Sequence, residues 1–333
     1  MGMTIIERIF ARKAGLDSVS PGDTVVVDVD MTVLIDLQFA TMWIQPNRIH
    51  DPDKLAVVMD HAVPAPTIRY QLDGVKPNTV SGKDIFLHIA NEYGDAANLN
   101  LEFGGPGLAG IPMHDRRTIA TQGAEISADF STFEADDVLT NFLGDTGVAG
   151  YTSAAPDPDA SYHDVRHIDL ATLEPYVARP GTVSRNGLPV SQLGTQKVDQ
   201  AFIGSCANGQ LEDLEIAARV LRGKTVAPGV RLLITPASQA VYREAMRLGY
   251  LQDLADAGAV ITNSTCGACF GYHMGVIGPG EVCITSSTRN FTGRMGSSEA
   301  EIFMASPATV AASAITGYIT DPRNMTDHRS VTT

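Results

Sequence analysis

Basic residues are scarce in this chain of 333 residues: 24 Lys and Arg stand against 38 Asp and Glu, and they nowhere cluster with interleaved aromatics. That scarcity, with a formal net charge of -14, weighs against nucleic acid as a partner, and solubility alone accounts for the acidity. Cysteine is scarcer still, and four in the whole chain exclude a disulfide scaffold. No apolar run reaches the roughly 18 residues of a membrane span. The opening MGMTIIERIFARKAG has neither the apolar stretch nor the small-residue cleavage site of a secretory signal, so a protein of the reducing cytoplasm is expected. Internal repeats and low-complexity tracts are missing too.

What is present is enough apolar material, 44% of residues, to bury two or three α/β cores. Strand-like runs TVVVDVDMTVLID and LAVVMD fall between residues 22 and 60, KDIFLHIANEY predicts a helix over 83–93, and a second helix is expected around Glu134–Leu143. From Gly144 to Ser191 the chain is rich in Gly, Pro, Ser, Ala and Asp, with AAPDPDAS the clearest linker and only HDVRHIDL strand-like. After Val198 strands and helices alternate, which implies a mainly parallel sheet with ligands at its carboxyl edge.

Three of the four cysteines lie where such a ligand would sit. Cys206 ends the apolar strand VDQAFIGS, and QLEDLEIAARVLRG follows with helical spacing. Cys266 comes 60 residues later after the short strand GAVITNS, and Cys266-Gly-Ala-Cys269 forms a turn whose glycine lets backbone wrap closely round a cofactor. Strand ends that run into helix starts favour thiolates. Spacing alone leaves a structural zinc site, a redox pair and an iron-sulfur cluster all open. Cys283, in the apolar strand pattern GEVCITSS, reads as a buried small hydrophobe.

FIGSCANGQLEDL, VAPGVRLLITPAS, TCGACFG and STRNFTGRMGSSEAEIFMASPATVAASAITGYI, in that order and spacing, resemble the large subunits of 3-isopropylmalate dehydratase and, more widely, the aconitase superfamily. Upstream, VVMDHAVPAPTI resembles that family's Asp-His segment, RRTIATQGAEISADFSTF its TI-NMGAEIGA segment, and TIIERIFARKAGLDSVSPGDTVVVDVD its start. The resemblance implies aconitase-like α/β/α domains with mainly parallel sheets around a cluster cleft. Over this chain that gives a reduced N-terminal domain (1–75), a second α/β segment (76–150), a linker-rich segment (151–195) and a cluster-binding domain (196–333). It further implies a 4Fe-4S cluster on Cys206, Cys266 and Cys269, with one iron not ligated by cysteine and free to act as a Lewis acid.

The same resemblance assigns substrate contact to Arg289 and Arg294, whose guanidinium forks suit carboxylates, and to Asp36, Ser205 and Asn208. The plain alternative for each arginine is a surface ion pair. Asp60-His61 becomes the candidate acid for the departing hydroxyl, and Glu125 matches a glutamate close to the cluster; without the resemblance the first pair reads as structural and the second as a solvated helix-start carboxylate.

Departures matter as much. After Ile68 the chain runs straight into QLDGVKPNTVSGKDI where typical large subunits carry a stretch about the size of a small domain, including a Gly-Asp-Ser-His-Thr motif that occurs nowhere here. Ile35 replaces a polar residue, Thr121 and Thr288 replace asparagines, and SCAN-GQ replaces SCTN-SR. The family's serine base, in a Gly-rich SSRE-type loop on a swivelling domain, has no counterpart, which implies a separate small subunit. The expectation is a cluster-dependent hydro-lyase acting on a small hydroxy-carboxylic acid. Its rivals are a non-catalytic cluster scaffold or regulatory subunit, and a zinc protein.

Overall fold

A computed structural model describes residues 2–27 and 65–325. Asp36, Asp60 and His61, and most of the strand-like stretch 22–60, lie outside the described residues; within it, 23–27 run without regular structure.

The first sheet has four strands, β1 (Thr67–Asp73), β2 (Asn100–Gly104), β3 (Phe130–Phe133) and β4 (Asp164–Asp169), in the order β3-β2-β1-β4 with every pair parallel. Alternation in β1 puts Ile68, Tyr70 and Leu72 on one face, all fully buried. They pack on the helix Gly82–Tyr93, whose start is fixed by Ser81 and Asp84 in a capping box, and on the helix Met113–Gln122. The same apolar cluster includes Tyr176, Ala178 and Met304, so the Gly82–Tyr93 helix lies at the junction with the second sheet.

That second sheet has seven strands in the order β6-β5-β11-β10-β7-β8-β9: β5 (Tyr176–Ala178), β6 (Gly187–Pro189), β7 (Gln200–Gly204), β8 (Arg231–Thr235), β9 (Val260–Ile261), β10 (Val282–Thr285) and β11 (Glu301–Ala305). The run from β11 to β9 is parallel, and β5 and β6 add an antiparallel edge. Helices Leu211–Leu221 and Pro307–Thr316 bury Leu214, Ala217, Val310 and Ala314 against it. The α/β class with mainly parallel sheets is therefore as expected.

The helix expected over 83–93 is present. The one expected from Glu134 begins at Asp137, because the Asp136 carboxylate caps it by accepting from the Leu139 N–H at 3.1 Å. HDVRHIDL supplies β4. The loop-like composition of 144–191 conceals β5 and β6, three residues each and too short for any periodicity to register. β1 escaped the sequence reading for a different reason: TIRYQLD alternates, but it crosses the point where the resembled family carries its additional stretch.

Candidate functional site

In the parallel part of the second sheet, β7, β8 and β9 step outward in one direction and β10 and β11 in the other. The strand order reverses between β7 and β10, which makes that crevice at the carboxyl ends the place where open α/β sheets bind ligands. Cys206 follows β7 directly, and Ser286, Ser287, Thr288 and Arg289 follow β10. The loop after β9 carries Cys266 and Cys269 back over the same edge.

Backbone that no side chain would permit makes this approach possible. Gly267 (φ +53°) sits where a Cβ would lie 2.6 Å from the Thr235 hydroxyl, at the end of β8, and against the ring of Phe202 in β7. Gly204 (φ +148°) turns the chain out of β7 against the Thr235 carbonyl. Ser205 then adopts φ +65° while only 2% exposed, an uncommon conformation for a residue with a side chain, and it immediately precedes Cys206. Cys206 itself lies in a single helical turn, Ser205–Asn208, between β7 and the long Leu211–Leu221 helix.

The thiols differ sharply. Cys206 and Cys266 are exposed and Cys269 and Cys283 buried. Burial pushes the Cys269 thiol up, but hydrogen bonds with Thr288, Ser287 and Arg294, and the arginine's charge, outweigh it and hold the thiol below its ordinary value. The Cys269 Sγ lies 3.6 Å from the Thr288 Oγ1. Cys266 is pushed up, by burial first and then by the nearby Cys269 and Cys206, so the three sulfurs are within electrostatic reach of one another. Cys283 stands apart in β10, fully buried, its thiol pushed up to about 12 by burial.

Among the described residues no three His, Cys, Asp or Glu side chains are gathered closely enough to hold one metal ion. A zinc site on the cysteines would need such a gathering. The thiolates of a four-iron cubane bind different irons and stand farther apart than the ligands of a single ion. Three buried polar atoms beside them, Ser205 Oγ, Asn208 Oδ1 and Ser264 Oγ, have no hydrogen-bond partner among the described residues, which is what walls built to face an additional group look like.

Arg289 and Glu125 come together across the two sheets: Arg289 Nε donates to Glu125 Oε1 at 3.0 Å. Glu125 is nevertheless pushed above its ordinary value, because burial outweighs the Arg289, Lys83 and Arg294 charges. Arg294 Nε donates to the Cys269 carbonyl at 2.6 Å, and its guanidinium lies over Phe270 and Phe291. Asn208 Nδ2 donates to Asp213 Oδ1 at 3.0 Å and to Thr118 Oγ1 at 3.3 Å, while Thr118 Oγ1 donates to the Ala207 carbonyl, so the Met113–Gln122 helix steadies the Cys206 turn. Cys206, Cys266, Cys269, Ser205, Asn208, Glu125, Arg289 and Arg294 thus share one region.

Sequence reasoning passed over two charged groups here. Asp213 is 3% exposed and Lys83 fully buried. Lys83 Nζ donates to the Ser287 carbonyl at 3.0 Å, joining the Gly82–Tyr93 helix to the loop after β10. Its signal was available: a lysine in the first turn of a mostly apolar helix, where the dipole disfavours cations.

Comparison with known proteins bears on this arrangement. The model of the Aconitase family (aconitate hydratase) matches residues 57–194 and 184–317. The 3-isopropylmalate dehydratase large subunit of Mycolicibacterium smegmatis is 57% identical over 98% of both chains. That alignment spans 413 residues against a chain of 333, so at least 80 of its positions have no counterpart here. The 3-isopropylmalate dehydratase large subunit 2 of Archaeoglobus fulgidus is 42% identical over 77% of this chain and 62% of its own length. The 2,3-dimethylmalate dehydratase large subunit of Eubacterium barkeri is 33% identical over 97% of this chain and 99% of its own. With matches running from end to end and a length shortfall to account for, the chain belongs to the aconitase family as a shortened member of the 3-isopropylmalate dehydratase large-subunit group.

Proposed function

We propose that this chain is the catalytic large subunit of a hydro-lyase that removes water from, and adds it to, an alkyl-substituted malate. The observation that carries the reading is the convergence of three cysteines with Arg289, Arg294 and Glu125 at the strand-order reversal between β7 and β10. The naming of the relatives supports the substrate class, since 3-isopropylmalate and 2,3-dimethylmalate are both malates bearing alkyl groups.

Cys206, Cys266 and Cys269 would hold a 4Fe-4S cluster, which when bound supplies an iron without a cysteine ligand, a Lewis acid for the hydroxyl and its neighbouring carboxylate. The chain's own residues do the rest. Arg289 commits its Nε to Glu125 and keeps its terminal nitrogens for a substrate carboxylate, a fork that lysine cannot reproduce. Arg294 is divided between steadying the cysteine turn and presenting charge to the cleft. Glu125, half-buried and held above its ordinary value by that burial, lies where it can relay a proton beside the cysteines. Asp60-His61 is the acid that protonates the departing hydroxyl, and Asp36, Ser205 and Asn208 complete the substrate contacts.

No residue described here supplies the base that removes the proton from the adjacent carbon. The small subunit with its swivelling domain would bring it, and its docking is supported by Tyr272, Met274, Val276 and Phe291, which stay exposed beside the cysteine loop. The described helices include none long and apolar enough to cross a membrane.

Anaerobic purification with iron and sulfide analysis tests the reading. Iron and sulfide in near-equal amounts are expected, lost in Cys206→Ser, Cys266→Ser and Cys269→Ser and retained in Cys283→Ser. Stoichiometric zinc without sulfide, or equal iron loss in the Cys283 variant, would sink it.

A further inference from the structure

Lys83 is fully buried, and among the described residues its ammonium has two contacts, the Ser287 carbonyl at 3.0 Å and the Met304 sulfur at 3.8 Å. Neither partner is charged. The residue stands second in the Gly82–Tyr93 helix, where the dipole is itself positive. Its neighbour Asp84 is spent elsewhere, accepting from the Ser81 N–H and hydroxyl and from the Tyr176 N–H. A cation taken out of water without a carboxylate in contact is among the costliest arrangements a fold can hold. Among the described residues, the groups whose ionised forms most favour the ammonium are Asp213, Glu125, Cys269 and Cys206. Three of these four belong to the site.

We propose that Lys83 is a positioning residue of that site: a fixed positive charge behind the cysteine-lined crevice whose counter-charge is the anionic content of the loaded protein, and whose bond to Ser287 holds the Ser286–Arg289 loop in place. This rests on the functional reading above. Three thiolates make the loaded centre negative, and an alkyl malate adds two carboxylates; both lie on the side of Lys83 that is short of counter-charge. In the empty chain the ammonium is disfavoured, chiefly by burial, and its pKa falls to about 8. A positive charge near an iron-sulfur cluster favours its reduced state, since net charge is one of the determinants of its potential.

The test uses the large subunit with its small subunit, reconstituted anaerobically with iron and sulfide. Lys83→Met removes the charge with little loss of bulk, Lys83→Arg retains the charge, and Lys83→Gln is a second neutral variant where Met gives no folded protein. The readouts are the reduction potential from an EPR-monitored titration, the melting temperature of the iron-free chain, and kcat and KM separately. A more negative potential in the neutral variants is expected, with KM for the dianionic substrate raised several-fold and kcat changed less. Lys83→Arg should return the potential toward that of the unsubstituted protein, and the iron-free melting temperature of Lys83→Met should be unchanged or higher, because an unpaired buried charge has gone. A potential that does not move in the neutral variants overturns the proposal, whether or not stability falls, and leaves Lys83 a packing residue. An unsubstituted chain that takes up no iron and sulfide overturns the functional reading and this one with it.

Discussion

Arg69 and Lys83 are both cations enclosed in protein, and their surroundings are opposite. Arg69, in β1, meets Glu102 through Nη1 at 2.9 Å and Glu134 through Nη2 at 2.7 Å. Glu102 is fully buried and completes its shell by accepting from the Tyr162 hydroxyl at 2.6 Å and from the Ile5 N–H at 2.9 Å, so the helix Ile5–Ala14 is pinned to the four-stranded sheet by the same carboxylate. Every strong charge in that network is answered inside the chain. Lys83, at the junction of the two sheets, is met among the described residues by one carbonyl and one thioether sulfur. The contrast separates a region whose polar groups have closed on each other, which holds shape, from one whose polar groups are left facing a common centre, which receives something.

The largest expected effect breaks the closed network. Glu102→Ala leaves Arg69, the Tyr162 hydroxyl and the Ile5 N–H without their buried partner, and removal of one member of a buried charge pair costs about 3 to 5 kcal/mol. Urea unfolding of the iron-free chain should show a loss of that order, while the folded fraction still takes up iron and sulfide. If iron loading vanished in protein that is demonstrably folded, the two regions would not be separable as argued.

A smaller effect is expected on the open side. Arg289→Lys keeps the charge and loses the fork, and one lost charge-assisted bond is worth about 1.5 to 3 kcal/mol, or roughly ten- to a hundredfold in kcat/KM. Stability and iron content should hardly change, because the arginine side chain is 43% exposed and its pairing with Glu125 is shared with solvent. Unchanged kinetics on the true substrate would remove Arg289 from the site and leave it an ordinary ion pair.

Legibility in the sequence followed the same division. The cysteine region could be read because its requirements are local: Gly-Ser-Cys after a strand and Cys-Gly-Ala-Cys after another are fixed by close backbone approach within a few residues, and two arginines follow a third strand in a Gly-containing loop. The parallel sheet followed from the alternation of strands and helices after Val198. The closed network was not legible, since Arg69, Glu102, Glu134, Tyr162 and Ile5 are brought together only by strand register and helix docking, and each alone reads as a surface charge or an ordinary core residue. Lys83 shows locally only its odd place in a first helical turn, since its partner Ser287 is 204 residues away. The short antiparallel strands β5 and β6 failed for want of length. Cys283 was read correctly because burial in an apolar strand is a local property.

Asp213 offers the subtlest way to sharpen the contrast, because it is the charged group that most favours the Lys83 ammonium and yet touches it nowhere among the described contacts. Burial raises its carboxyl to about 7, against the lowering effect of the Asn208 amide and the Gln210 N–H and with some help from the nearby Asp115 and Glu212 charges. A carboxyl whose folded-state pKa lies above its unfolded value of 3.8 contributes stability that is fully present at acid pH and is lost as pH rises toward that folded value. In the iron-free chain, the melting temperature of the unsubstituted protein minus that of Asp213→Asn should therefore fall between about pH 4 and pH 7 and flatten above it. Taking the difference cancels carboxylates such as Asp136, Asp199 and Glu281, which are held below their ordinary values and act in the opposite direction. A difference that instead rises with pH would mean that the folded protein prefers the ionised carboxylate. Asp213 would then be the missing counter-ion of Lys83, the junction would be as closed as the Arg69 network, and the cation behind the cysteines would have nothing left to offer a bound anion.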